Sequence, residues 1–411
     1  MGDGNRETLK KIRELIPIEI REVPTGYQAY DWEVPKEWNI RDAYIIDPNG
    51  KKIADFKVNN LHVVNYSVPI NKTVTLDELQ NHLYSIESMP NAIPYVTTYY
   101  DSRWGFCIPQ KERDQLIEGD YKVFIDSSLE DGSLSYGELI IPGKTDKEIF
   151  LTSYICHPSM ANNECSGPAV LTFIAKWLLD RDNKYTYRIV FAPETIGAIV
   201  YINKNYDKLR ENVIAGFNLT CIGDDRQYSY MPSRLGNTLV DKVVEYVFEN
   251  YTESHTKHSF LEKGSDERQY CHPMVDLPLV SIMRSKYGTY PEYHTSLDNL
   301  DLVTPTGLAG GFNMVQKSIE ILELNCKYEN IVICEPKRNK RNLRPENWHR
   351  RRSGATNEIE MKTFVKDVMN IIFYCDGQHD LIDLSNRLKI SFNKCHEYVV
   401  LLKNNGVIRR V

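Results

Sequence analysis

Two textures of apolar and polar residues divide this chain. Up to about residue 141 the apolar runs are short and separated by turn residues. Tyr44 to Ile46, Lys52 to Phe56 and His62 to Val68 read as strands, parted by Asp47-Pro48-Asn49-Gly50 and Val58-Asn59-Asn60. Tyr95 to Tyr99, Tyr121 to Ile125 and Gly137 to Ile141 continue the pattern. Helical spacing occurs from Arg6 to Leu15, ending near Pro17, and from Thr75 to Tyr84, where Thr75 is a suitable N-cap. From Lys147 onward, buried-strand runs alternate with amphipathic helices. Strands at Glu148 to Tyr154, Arg188 to Ala192, Ile214 to Cys221 and Leu279 to Met283 are interleaved with helices at Val170 to Asp180, Ile196 to Asn205 and Thr238 to Asn250. That alternation predicts βαβ units and a mixed, largely parallel sheet flanked by helices, an α/β fold. A long helix comes next, from Pro305 to Leu324.

The last fifty residues have their own pattern. Helix Thr363 to Cys375, a break at Asp376-Gly377, helix Leu381 to Arg387, a turn, helix Phe392 to Asn404 and strand Val407 to Val411 predict a winged helix-turn-helix. The expected organisation is an α/β domain from residues 1–30 and 115–335, an inserted β-rich domain at 31–114, a basic linker at 336–358 and the winged helix at 359–411.

Composition narrows the function classes. The chain has 411 residues, too many for a single core, which fits several domains. No run of about 20 apolar residues is present, so no membrane span is expected, and the polar start leads to an expectation of a cytoplasmic protein. The net charge of −6 argues against broad nucleic-acid binding, with one local exception in the basic run Lys337 to Arg352. Nine cysteines without a Cys-x-x-Cys pair read as reduced, mostly buried thiols and make a thiolate zinc cage unlikely.

The candidate chemistry sits at strand ends. His157 leaves the strand that ends at Tyr154, and Glu194 comes just after the strand ending at Ala192. His294 comes shortly after the strand ending at Met283, and the charged run Asp266-Glu267-Arg268 lies between strands. Ligands bind at the carboxyl edge of such sheets. Any one of these residues alone reads equally well as structural, but together they suggest a metal centre with a neighbouring base, because zinc favours imidazole and carboxylate donors. The aromatic segment Tyr99 to Phe106, with Arg103 and Trp104, either reaches over that site or packs as a hairpin.

These residues carry a resemblance. Cys156 to Pro168 (CHPSMANNECSGP), Ala192 to Ile199 (APETIGAI) and the HTSLDNL run from His294 resemble the zinc aminopeptidase superfamily, which includes co-catalytic aminopeptidases and glutaminyl cyclases. With Pro24 to Ile45, Asn60 to Pro69, Arg103 to Pro109, Thr220 to Asp225 and Gly264 to Cys271, nearly the whole chain resembles a bacterial family of aminopeptidase-like proteins, often found in polysaccharide or secondary-metabolite gene contexts. The resemblance implies His157 and His294 as metal ligands and Glu194 as general base. It also exposes gaps. Thr195 stands where a second glutamate ligand belongs, Asn163 where the bridging aspartate belongs, and the last ligand carboxylate falls near Thr220 or Cys221. Two Zn²⁺ ions need a shared anion to offset their repulsion, so one zinc is expected rather than two. Its third ligand is Asn163 or Glu164, with Glu164 preferred, and a cis peptide is implied at Asn163-Glu164.

The expected function is zinc-dependent hydrolysis of an amide bond in a peptide or peptide-like or amino-sugar metabolite, with a zinc-bound water as nucleophile and Glu194 as base. Tyr293 is a candidate oxyanion donor, Asp266, Glu267 and Arg268 are candidates for holding a substrate amine, and Arg103 is a further substrate contact. A cyclase or amidase using the same pocket is the nearest variant. The alternative is a degenerate ligand sensor or a DNA- or protein-binding regulator acting through the winged helix. DNA is the weaker partner reading, because helix Phe392 to Asn404 is only modestly basic. A homo-oligomer through the inserted or winged-helix domain is left open.

Overall fold

The computed structural model describes residues 1–343 and 355–411. Residues 344–352 of the basic run, and with them much of the 336–358 linker, lie outside the described residues. The chain forms two compact units, Met1–Gln316 and Lys317–Val411.

The first unit is built on an eight-stranded sheet. Its order in space is Glu19–Pro24, Ser133–Ile141, Tyr185–Ala192, Thr145–Tyr154, Val213–Leu219, Leu279–Met283, Ser229–Met231 and Thr256–Lys257. The four central strands, from Tyr185–Ala192 to Leu279–Met283, run parallel. Parallel strands are covered on both faces, and the residues bear this out: every position from Glu148 to Tyr154 is buried. Helices Ser166–Leu179, Ile196–Asn212, Leu239–Tyr251 and Pro305–Leu324 complete the α/β architecture. Helix Ser166–Leu179 has Gly167 in its first turn, where an added Cβ would lie 2.4 Å from Ser153 Oγ and 2.5 Å from the Leu219 carbonyl oxygen. Only glycine lets the helix start this close to the strand ends.

A second sheet lies within the same unit. Its four antiparallel strands are ordered Lys52–Ile53, Glu37–Ile46, Asp120–Glu130 and Ile70–Thr75. Asp120–Glu130 lies beyond the 31–114 span read from the sequence, and it pairs with Glu37–Ile46 from Glu130 down to Lys122. Thr75 accepts the Glu78 N–H and caps the short helix Leu76–Gln80. Segments 62–68 and 95–99 form isolated bridges in place of full strands, Val63 with Phe106 and Asn65 with Thr97. Trp104 stacks on His82 at 3.7 Å, and Phe106 is fully buried in this core.

The second unit holds helices Ala355–Tyr374, Leu381–Leu388 and Phe392–Asn404, with strand Ile408–Arg410 as the wing. The break expected at Asp376-Gly377 is a strand, Asp376–Asp380. It pairs with Lys327–Asn330, as does the wing, so this unit takes its first strand from before the basic run. No helix among the described residues is long and apolar enough to cross a membrane.

One ion pair ties helix Asp3–Arg13 to both sheets. Arg6 donates to both oxygens of Glu37, at 2.7 and 2.5 Å, and Glu37 also accepts the Ser133 N–H at 3.1 Å. The Arg6 guanidinium, more than the Ser133 and Asn39 donors, holds the Glu37 carboxyl at about 2, against an ordinary value of 4.5. A depressed carboxylate stabilises the fold above its ordinary value and loses that contribution as pH falls through its folded value. Acid unfolding followed by circular dichroism should therefore show stability falling between pH 4.5 and 2. Arg6→Met should flatten that part of the curve.

Candidate metal centre and active site

Three loops at the carboxyl ends of the parallel strands, and the bridged segment around Tyr95, build the site. The first leaves strand Thr145–Tyr154 and carries Cys156 and His157. It then winds into a π-helical turn, Ala161–Cys165, which runs directly into helix Ser166–Leu179. The described peptide bonds are all trans, so the cis bond implied at Asn163-Glu164 is absent.

A single carboxylate holds that turn. Asp298 accepts the N–H groups of Asn162, at 2.5 Å, and Asn163, at 3.0 Å, and also the Tyr290 hydroxyl at 2.9 Å. Its carbonyl oxygen accepts the Ala161 N–H at 2.8 Å. Asp298 stands four residues after His294, so the clamp fastens the His157 loop to the His294 loop. His294 itself has φ 57°, a left-handed backbone rarely tolerated by a side chain of this size.

The two imidazole rings lie 5.3 Å apart, centroid to centroid. Tyr95, from the segment bridged to Asn65, packs against both, at 5.1 Å from His157 and 5.0 Å from His294. Tyr293 stacks on His294 at 3.9 Å. Burial lowers the pKa of His157, and burial together with the neighbouring His157 brings His294 to about 3. Both rings are therefore neutral near pH 7, with a lone pair available. His294 Nε2 is buried without a hydrogen-bond partner.

Carboxylates flank His157 on both sides. Glu164 accepts the His157 main-chain N–H at 3.0 Å and lies 3.2 Å from Nδ1. Glu194 lies 3.8 Å from Nε2. Burial raises the Glu194 pKa, against the opposing pull of His157 and Arg268. The next residue, Thr195, has φ 64°. This left-handed residue is held by Asp266, which accepts its N–H at 2.8 Å, and by Arg268, which donates to its hydroxyl at 2.9 Å. Burial, then the Glu194 charge, raises the Asp266 pKa.

The other residues singled out in the sequence take varied places. Glu267 is buried, with its oxygens accepting from Gly264, Ser265, Tyr287, Asn218 and Ser281. Arg103 is exposed and donates to the Thr97 carbonyl oxygen at 3.1 Å. Asn163 Oδ1 accepts from Tyr154 at 2.9 Å, while its Nδ2 is buried without a partner. Tyr154 also meets Thr220, and Cys221 lies 3.5 Å from Asn163, so both residues considered for the last ligand position lie close to Asn163. Sequence reasoning passed over Cys156, Tyr95 and Asp298. Cys156 Sγ lies 3.4 Å from His157 Nδ1 and accepts the Glu194 N–H at 3.2 Å. With His157 and Glu164 it offers three donor atoms within 4.8 Å of one another. Its adjacency to His157 was the one signal that could have found it.

Removing the Asp298 clamp should loosen both histidine loops together. Asp298→Ala should destabilise the fold by about 1–3 kcal/mol, the cost of leaving buried donors without their acceptor. Thermal unfolding would measure it, and unchanged stability would mean that the clamp does not hold the two loops.

Comparison with known proteins agrees with this fold. A protein of Clostridium acetobutylicum, provisionally named a polysaccharide biosynthesis protein with an aminopeptidase-like domain, is 43% identical over 394 residues, covering 96% of this chain and 88% of its own. A crystal structure from the same organism, provisionally named a peptidase, is 42% identical with a TM-score of 0.91, covering all of this chain and 92% of that one. A zinc aminopeptidase of Bacillus subtilis shares the fold at 12% identity and a TM-score of 0.55, over 78% of this chain and 89% of that one. A peptidase M28 precursor of Shewanella amazonensis does so at 13% and 0.53, over 81% and 89%. The model for a domain of unknown function, DUF4910, matches residues 1–325, and a winged helix-turn-helix model matches 326–410. The chain therefore belongs to the DUF4910 family, an aminopeptidase-like α/β fold joined to a C-terminal winged helix-turn-helix.

Proposed function

We propose that the protein is a zinc-dependent hydrolase that cleaves an amide bond of a peptide-like or amino-sugar metabolite. The observation that carries this reading is the pair of buried, neutral imidazoles 5.3 Å apart, one with an orphaned Nε2, beside the Glu194 carboxylate. That donor chemistry fits Zn²⁺. His157 and His294 would hold it. Glu164, through His157 Nδ1, acts as the orienting carboxylate such histidines usually have. The third donor is then Asn163. A half-turn of its amide keeps the Tyr154 bond, with Nδ2 donating, and frees Oδ1. A neutral amide cannot offset a second cation, which supports one ion per chain.

Zinc bound there would supply Lewis acidity to an amide carbonyl. Glu194, held ready by burial, takes the proton of the attacking water as the C–O bond forms. The same carboxyl returns that proton to the nitrogen as the C–N bond breaks. Asp266 and Arg268 act one step back, by fixing the left-handed Thr195 that aims Glu194. Tyr293 remains the candidate oxyanion donor. The aminopeptidase-like fold supports a peptidase-type reaction, and the Clostridium relative's name supports a substrate linked to polysaccharide synthesis.

Glu194→Gln should lower hydrolysis of aminoacyl amides by at least about 100-fold, the usual scale for a lost general base. Metal analysis should still find about one zinc per chain; loss of zinc in this variant would make Glu194 a ligand. The regulatory reading is less well supported. In helix Phe392–Asn404, Lys394 is paired with Glu397 at 3.1 Å, which reduces the charge available to phosphates. The full chain should not retard duplex DNA in a low-salt gel shift, and salt-dependent retardation would revive that reading.

A further inference from the structure

Cys156 has no part in the reaction proposed above, yet it is packed into the site. Its Sγ accepts the Glu194 N–H at 3.2 Å and lies 3.4 Å from His157 Nδ1. Glu164 Oε2 lies 3.2 Å from the same nitrogen and accepts the His157 main-chain N–H at 3.0 Å. The His157 and Glu164 side chains are only 7% and 10% exposed. Sulfur, nitrogen and oxygen thus meet within 4.8 Å of one another on the Nδ1 edge of the imidazole. Glu194 lies against the opposite edge, 3.8 Å from Nε2.

Hydrogen bonds alone do not account for this meeting. One proton serves the His157–Glu164 pair, whichever of the two carries it, and it occupies the Nδ1 lone-pair direction. The Cys156 thiol is then left without an acceptor at Nδ1. A cation does account for it. With bonds of about 2.0–2.1 Å to nitrogen and oxygen and about 2.3 Å to sulfur, a tetrahedral ion holds its N and O ligands about 3.3 Å apart and its N and S ligands about 3.6 Å apart. The observed 3.2 and 3.4 Å lie close to those edges. The Glu194 N–H on the sulfur is the kind of outer bond that steadies a coordinated thiolate.

We propose that Cys156 Sγ, His157 Nδ1 and Glu164 form a second metal site, for a thiophilic divalent cation such as Zn²⁺, Co²⁺ or Cd²⁺, filled only after the ion at the imidazole pair. The order of filling rests on the reading of His157 and His294 as the first site. Binding at the second site releases the thiol proton and the proton of the His157–Glu164 pair to solvent. His157 then stands as an imidazolate between two cations, and its negative charge offsets their repulsion. Ligands that must lose protons bind more weakly, which makes this the weaker site. A chain that holds one ion leaves it empty.

The test is titration of Co²⁺ into the metal-free, reduced full chain, followed by absorption. The first equivalent should give only the weak visible bands of cobalt on nitrogen and oxygen ligands. The second should add the intense near-ultraviolet band of thiolate-to-cobalt charge transfer. Cys156→Ser, whose hydroxyl can still accept the Glu194 N–H, should keep the first step and lose that band. Glu164→Gln should weaken the second step at least about tenfold, the loss expected even for an outer partner of a metal ligand. The proposal is overturned by the absence of a thiolate band at any ratio, by a band that survives Cys156→Ser, by a band that arrives with the first equivalent, or by a second step unweakened in Glu164→Gln. A first step unchanged in His294→Ala would sink the imidazole-pair site alone.

Discussion

The site depends on one buried carboxylate. Asp298 satisfies consecutive backbone donors at the head of the π turn and takes the Tyr290 hydroxyl as well. Backbone N–H groups at a helix start need acceptors, and here the acceptor comes from a loop more than 130 residues away. The same bonds therefore set the turn that carries Asn163 and Glu164, and fix how that turn faces His294. Two loops that are remote in sequence become one rigid frame.

Around that frame, burial sets the chemistry. Apolar surroundings keep both imidazoles neutral and push Glu194 and Asp266 toward their protonated forms. Such a pocket suits a cation, because a cation offsets the cost of holding carboxylates out of water. Asn163 and Thr195 bring no charge of their own to this pocket. Thr195 instead serves as a strained backbone joint between Glu194 and the Asp266–Arg268 pair.

Much of the fold could be read from the chain because its elements are long and strongly patterned. The central strands and the helices Pro305–Leu324 and Phe392–Asn404 fall where the apolar periodicity puts them. The smaller sheet was harder to read. Its strand Asp120–Glu130 lies far from its partner Glu37–Ile46, and local pattern carries no record of such pairing. Strand Lys327–Asn330 is short and polar, so nothing marked it as part of the winged helix. At the site, His157, His294 and Glu194 were visible because strand-end loops are where reactive groups gather. Tyr95 was not, since it reaches the site from a bridged segment far before His294 in the chain, through backbone pairing. Nor was Asp298, since a carboxylate four residues past a histidine reads the same whether it caps a distant turn or faces solvent.

The pairing of residues 93–96 with 294–296 has one more consequence. The segment that carries Tyr95 is hydrogen-bonded to the very stretch of chain that bears His294. A displacement of residues 93–96 would tug on His294, so neither stretch can shift without the other.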